Sequence, residues 1–174
     1  MCQFRMTTDT VRLPTSALSV TDILTLNAKI SIPNFTGAYM IDELSSTGPK
    51  NKECAIVNLE PHTQIGSHWV CFWKNGTDRI YFDSFGEIPP PQVLRYLKTK
   101  KEREEGTPCI RQSAITVQKD QSSECGSLCL WVLFHLSKGV SFTDVLQFLE
   151  KRYNKCGVDG KHPNVCSELV VHIQ

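Results

Sequence analysis

A histidine, an aspartate and a cysteine stand in this chain where turn and helix signals place them at the ends of elements. His68 opens the run His68-Trp69-Val70-Cys71-Phe72-Trp73-Lys74, Asp83 closes the run Thr77-Asp78-Arg79-Ile80-Tyr81-Phe82-Asp83, and Asn75-Gly76 lies between the two. Asn-Gly flanked by strand-like runs is the strongest short-range hairpin signal. A two-residue Asn75-Gly76 loop pairs Lys74 with Thr77 and, counting outward, His68 with Asp83. Directly opposed on one face, with Cβ atoms roughly 5 Å apart, the two side chains can hydrogen-bond. A carboxylate in that position holds an imidazole in one tautomer and stabilises its protonated form, as the orienting acid of a general base does. The hairpin alone fits an ordinary cross-strand ion pair as well.

Cys125 shifts the balance toward chemistry. It lies in Ser122-Ser123-Glu124-Cys125-Gly126, where polar sequence meets an apolar helical run. A helix N-terminus presents unpaired N–H groups and the positive end of the dipole to the sulfur, which favours the thiolate and hence the nucleophile. A cysteine in such a run otherwise serves packing, as Cys129 one turn later does. With a His/Asp pair available, a thiol nucleophile activated by a base is the better reading. Gly126 lets a substrate backbone approach closely. Trp69, beside the base, either walls a narrow groove that favours glycine or is a core aromatic on the strand face opposite His68.

The elements that must position these residues follow from periodicity and capping. Ser19-Val20-Thr21-Asp22 is a capping box opening a short helix to about Lys29, and Cys54-Ala55-Ile56-Val57-Asn58-Leu59 is an apolar run with the length of a buried strand. Pro89-Pro90-Pro91 leads into Val93, Leu94, Tyr96 and Leu97 at helical spacing, a surface helix fraying into the charged run and stopping near Gly106. Gln112 to Gln118 has strand character. The segment from Cys125 to Leu136 is apolar on every face, a central buried helix ended by Gly139, and Ser141-Phe142-Thr143-Asp144 opens an amphipathic helix to about Tyr153. A hairpin, isolated strands and helices without regular βαβ alternation give an α+β fold.

With 174 residues, 40% of them hydrophobic, the chain makes one domain, residues 1–174, with residues 1–16 as an N-terminal arm. A net charge of +1 calls for neither nucleic acid nor a membrane surface. In the run Arg95 to Arg103 the interleaved Glu102, Glu104 and Glu105 make a solvated helix face rather than a binding patch. Without a signal peptide or an apolar stretch of roughly 18 residues, the expectation is a soluble, intracellular protein. Of eight cysteines, Cys54, Cys71 and Cys129 sit in apolar runs as small hydrophobes, so a disulfide framework is not expected. Cys156, His162 and Cys166 lack an accompanying CxxC pair, and no metal site is assigned.

These residues resemble the adenovirus protease (adenain) and its relatives in other DNA viruses, in the clan that includes the SUMO-specific proteases. The similar segments are Cys54-Ala55-Ile56-Val57-Asn58, Gly66-Ser67-His68-Trp69, Tyr81-Phe82-Asp83-Ser84-Phe85-Gly86, and Gln118 through Cys125-Gly126 with Cys129 following. They keep the family's order of His, acidic residue, Gln, Cys. The resemblance implies a papain-like cysteine protease core in permuted order, with the hairpin of a mixed sheet carrying His68 and Asp83. It implies Gln118, seven residues before the nucleophile, as a side-chain donor in the oxyanion hole. It further implies cleavage of viral precursor polypeptides at glycine-containing sites in virion maturation, by a monomer in the virion and host nucleus. No cofactor is required by the sequence. By resemblance, DNA and an activating viral peptide, disulfide-linked at Cys109, are expected activators. Asp83 stands where adenovirus enzymes usually carry Glu, and the short hairpin also departs from their pattern, so a relative from another virus group fits better. A ubiquitin- or SUMO-like deconjugase and an inactive protease-like virion protein are the competing readings.

Overall fold

The structure, a computed structural model, describes residues 9–65, 67–98, 100–105, 110–155 and 168–173. In chain order the elements are β1 (Asp9–Arg12), α1 (Val20–Ile30), β2 (Phe35–Met40), a 3-10 turn (Ile41–Glu43), β3 (Lys52–Asn58), β4 (Trp69–Asn75), β5 (Asp78–Phe82), α2 (Pro91–Leu97), α3 (Lys100–Glu105), β6 (Arg111–Gln112), α4 (Cys125–Ser137), α5 (Phe142–Lys155) and β7 (Val170–Ile173). Strands β2-β3-β4-β5-β6 form one mixed sheet, in which β2/β3 and β5/β6 are parallel and the two central pairs antiparallel. The fold is α+β, as the sequence indicates.

The apolar run at Cys54 is buried on both faces because helices cover both. On one side Cys54, Ile56, Trp69, Cys71, Ile80 and Phe82 pack with α4, α1 and α5 around Leu128, Val132, Ile23 and Leu149. On the other, Ala55, Val57, Val70, Phe72 and Tyr81 pack with Val93, Tyr96 and Leu97 of α2. Helix α4, buried along nearly its whole length, fits its all-round apolar sequence. Ser19 and Asp22 form the expected capping box at α1. At α5, Ser141 and Asp144 bond to each other in the same way.

Three expectations need correction. The hairpin turns on Gly76-Thr77, because Asn75 is held in the ladder opposite both Lys52 and Asp78. Gly76 takes φ +62 and donates its N–H to Asn51 O at 2.8 Å, the glycine-first form of a two-residue turn. The register is thereby two positions from the expected one, so the faces are kept while His68 and Asp83 become diagonal neighbours just off the strand ends. Of the stretch Gln112 to Gln118 only Gln112 is in a strand, the short β6 that begins at Arg111. Beyond that its polar groups bond to the turn after β5: Ser113 Oγ donates to Asp83 O, Thr116 Oγ1 to Phe85 O, and Val117 N to Ser84 O. The helix after Pro91 is broken at Lys98, which is extended (φ −103, ψ 125), and it is no surface helix, since Val93, Tyr96 and Leu97 are buried.

Strand β2 and the β1/β7 ladder carry no clear sequence signal. In the N-terminal segment, β1 pairs antiparallel with β7, and Leu13 is buried. Glu102 forms an ion pair with buried Arg79 at 2.7 Å, so this acid in the charged run is a structural partner. No helix among the described residues is long and apolar enough to cross a membrane. Gly66, Cys109, Cys156, His162 and Cys166 lie outside the described residues.

Candidate active site

Asp83 is fixed before it meets any partner. Its backbone N–H donates to Ser113 Oγ at 3.0 Å, and its carbonyl accepts from that hydroxyl at 2.8 Å and from Gly86 N at 3.0 Å. The tight turn needs Gly86, which takes φ +76 with Ile115 backbone about 3 Å from where a Cβ would stand. Phe85 N donates to Asp83 Oδ1 at 2.7 Å. The same oxygen lies 3.0 Å from His68 Nε2. The carboxylate is 1% exposed and the imidazole 14%, so water competes little for this bond. The Phe85 ring lies against the imidazole with centroids 4.9 Å apart. Phe85 is brought there by the tight turn after β5, in which its own N–H is bonded to Asp83 Oδ1.

With Nε2 engaged by Asp83, Nδ1 is the ring nitrogen left for Cys125, and the imidazole and the thiol act on each other, each favouring the other's charged form. The sulfur sits at the first residue of α4, where the backbone N–H groups of Trp69 and Gly126 act on it in the direction that favours the thiolate. Burial opposes charge on both partners, but the mutual hydrogen bond and charge outweigh it. The Cys125 thiol is held below its ordinary value, and the imidazole, with Asp83 behind it, is lifted to about 9. These shifts favour a thiolate–imidazolium pair. Burial instead pushes the thiols of Cys54 and Cys129 up.

Gln118 is buried, 2% exposed, while Gln121 is exposed. Its amide is held at both ends, Oε1 accepting from Ser84 Oγ and Nε2 donating to Ser122 O, each at 2.7 Å. A primary amide carries two N–H hydrogens, so this bond engages one of them. The sheet that was expected to fix Gln118 does not extend to it; the serines do that work. Gly126 is covered by protein: a Cβ there would stand 3.2 Å from Leu18 Cδ1 and 3.3 Å from Trp69 Cδ1. Its lack of a side chain thus lets α4 approach the Leu18 segment and the Trp69 ring. Trp69 itself belongs to the core on the α4 side, with Nε1 donating to Leu18 O at 2.8 Å, and its edge also borders an open cavity of about 490 Å³ with Leu18, Met40, Asn58, His62 and Ile65.

No family profile matches the chain, and no curated protein does. Among solved structures it is similar to the ASFV pS273R protease, with a TM-score of 0.48 and 18% identity over 76% of this chain and 62% of that one. It is also similar to the SUMO protease Ulp1 with its catalytic cysteine oxidised to a sulfinic acid, at a TM-score of 0.46 and 16% identity, over 76–78% of this chain in the two cases and 75% of Ulp1. The chain thus spans less than two thirds of the ASFV protease.

Several residues at the site were not foreseen. Ser113, which fixes Asp83, sits in a run with no catalytic pattern, and Ser84, which fixes Gln118, lies in the Tyr81–Gly86 segment but carries no predicted role there. Phe85 reaches the imidazole through the turn after β5, beyond the last paired position of the ladder. Glu124 is visible beside Cys125, but its ion-pair partner Arg152, at 2.7 Å, lies 28 residues further along the chain.

Proposed function

We propose that this chain is a cysteine peptidase in which Cys125 is the nucleophile, His68 the general base and acid, and Asp83 the residue that orients the imidazole. The observation that carries this reading is the 3.0 Å bond between Asp83 Oδ1 and His68 Nε2, with the imidazole in turn coupled to the Cys125 thiol at the start of α4. The thiolate attacks the scissile carbonyl carbon, the new C–S bond forms, and the carbonyl electron pair moves to oxygen. Collapse breaks the C–N bond while imidazolium protonates the leaving amine. Water, deprotonated by His68, then attacks the thioester and returns the thiolate. Backbone N–H of Cys125 and the second amide hydrogen of Gln118 stabilise the oxyanion, an effect worth about 3 kcal/mol per donor.

The four motifs in family order support a viral precursor polypeptide as substrate, cut at glycine-containing sites in virion maturation, with the cavity beside Trp69 taking part of the substrate chain. DNA and a peptide tethered at Cys109 are activators on this reading. The test sets the intact protein against a Gly-Gly peptide reporter and a SUMO or ubiquitin C-terminal reporter, each with and without DNA, while an electrophilic probe reports on Cys125. Cleavage of the peptide reporter, lost in Cys125→Ala and His68→Ala, is the expected result. Turnover of the folded modifier alone would make it a deconjugase, and a Cys125 that resists the probe would make it an inactive binding protein.

A further inference from the structure

Helix α4 begins without the usual side-chain cap. Its N-cap residue, Glu124, has helical backbone (φ −82, ψ −2) and makes no capping hydrogen bond among the described residues. An N-cap Ser, Asp or Asn folds back to accept from the N–H groups of the first turn. Here Cys125 and Gly126 are the first two residues of the helix, so those N–H groups lie beside the sulfur, and that of Gly126 favours its thiolate form. Glu124 carries an acceptor able to compete, immediately before the nucleophile, and it is 5% exposed. A buried carboxylate seeks donors, because leaving it unpaired is costly. Its Oε1 is taken instead by Arg152 Nη2 of α5 at 2.7 Å, and Arg152 is itself 4% exposed.

Resting on the peptidase reading above, we propose that Arg152 is a positioning residue for the nucleophile: by holding the Glu124 carboxylate against α5, it keeps the first-turn N–H groups of α4 open to the Cys125 sulfur and to the substrate's oxyanion. The charged groups at the sulfur itself are His68 and, behind it, Asp83. Arg152 acts from the opposite end, through Glu124. Without it, the carboxylate is released to bond as an N-cap side chain does, to the first-turn N–H groups that the thiolate uses. The amphipathic helix α5 then has a role at the site although it supplies no residue that touches substrate.

The experiment reads iodoacetamide alkylation of Cys125 against pH by intact mass, together with kcat and KM on the peptide reporter. In Arg152→Met the alkylation midpoint should rise by about one pH unit, and kcat should fall about tenfold with KM within twofold. The double variant Glu124→Met with Arg152→Met removes both the competitor and its restraint, and should return the midpoint to that of the wild type. If Arg152→Met does not fold, Arg152→Lys, which keeps the cation and loses the fork, should move the midpoint in the same direction. A folded Arg152 variant with unchanged midpoint and kcat overturns the proposal. So does a double variant as impaired as the single one, which would mean that α5 packing alone matters. A wild-type Cys125 that alkylates only in the ordinary thiol range overturns the peptidase reading, and the proposal with it.

Discussion

The sulfur of Cys125 differs from those of Cys54, Cys71 and Cys129 in what surrounds it. Cys54, Cys71 and Cys129 point their thiols at backbone carbonyls of Pro33, Cys129 and Trp69, which accept but cannot stabilise a thiolate. Cys125 instead faces an imidazole and two N–H groups. Its protonation therefore marks the acid limb of activity and lies below the ordinary thiol range. On the peptidase reading proposed above, His68 keeps its proton for the leaving amine, and the imidazole holds it up to about 9. The kcat/KM profile should rise at acid pH, stay level through neutrality and fall as pH passes about 9. Asp83→Asn keeps the size of the side chain but permits the wrong tautomer, and peptide turnover should drop by about four orders of magnitude. Gln118→Ala should lower kcat about a hundredfold with little change in KM or in thiol alkylation, whereas exposed Gln121→Ala should be nearly silent. The opposite pattern in these steady-state assays would place the oxyanion hole on the wrong glutamine. At this scale the candidate residues His68, Asp83 and Cys125 could be singled out, because helix starts and hairpin ends are marked locally. The roles of Ser84 and Ser113 could not, since the partners of their hydroxyls, the Gln118 side chain and the Asp83 backbone, lie 34 and 30 residues away along the chain.

Elements carried their positions into the sequence where a local rule defines them, and lost them where a partner strand decides. The capping boxes at Ser19 and Ser141 and the all-apolar Cys125–Leu136 run fall where expected, since each follows from residues within one or two turns. The hairpin turn moved by one residue because β3 holds Asn75 in its ladder, a constraint that Asn75-Gly76-Thr77 cannot reveal. Parity rescued the functional inference: a two-place shift leaves His68 and Asp83 on one face, while a one-place slip would have separated them. The turn after β5 is the most demanding backbone in the site. Gly86→Ala forces a side chain onto φ +76 against Ile115 backbone at 2.9–3.0 Å. It should cost on the order of 1–3 kcal/mol and displace Asp83, so melting temperature and kcat fall together. Gly76→Ala, at φ +62 with open space around it, bears only the conformational strain. Its melting temperature should fall while peptide turnover stays at the wild-type level.

Across the whole molecule, the site depends on a segment far from it in sequence. The stretch from Leu13 to Ser19 crosses the start of α4, where Pro14 O accepts from Ser127 Oγ at 2.6 Å, Leu18 O accepts from the Trp69 indole, and Leu18 packs on Gly126. Ser127→Ala leaves that carbonyl without its donor and should lower the stability read from a urea midpoint by about 1–3 kcal/mol. Upstream of this crossing, β1 lies antiparallel to β7, with Asp9 opposite Ile173 and Arg12 opposite Val170. Both strands therefore leave the ladder at the same end. Tension applied between residues 9 and 173 pulls across the strands, and the hydrogen bonds between them open one pair after another like a zipper. Sheets loaded along their strands share force over many bonds at once, but this ladder has no such geometry. Held in an optical trap by those two positions, the molecule should yield first at β1/β7, at low force, with the five-stranded sheet and its cysteine still in place.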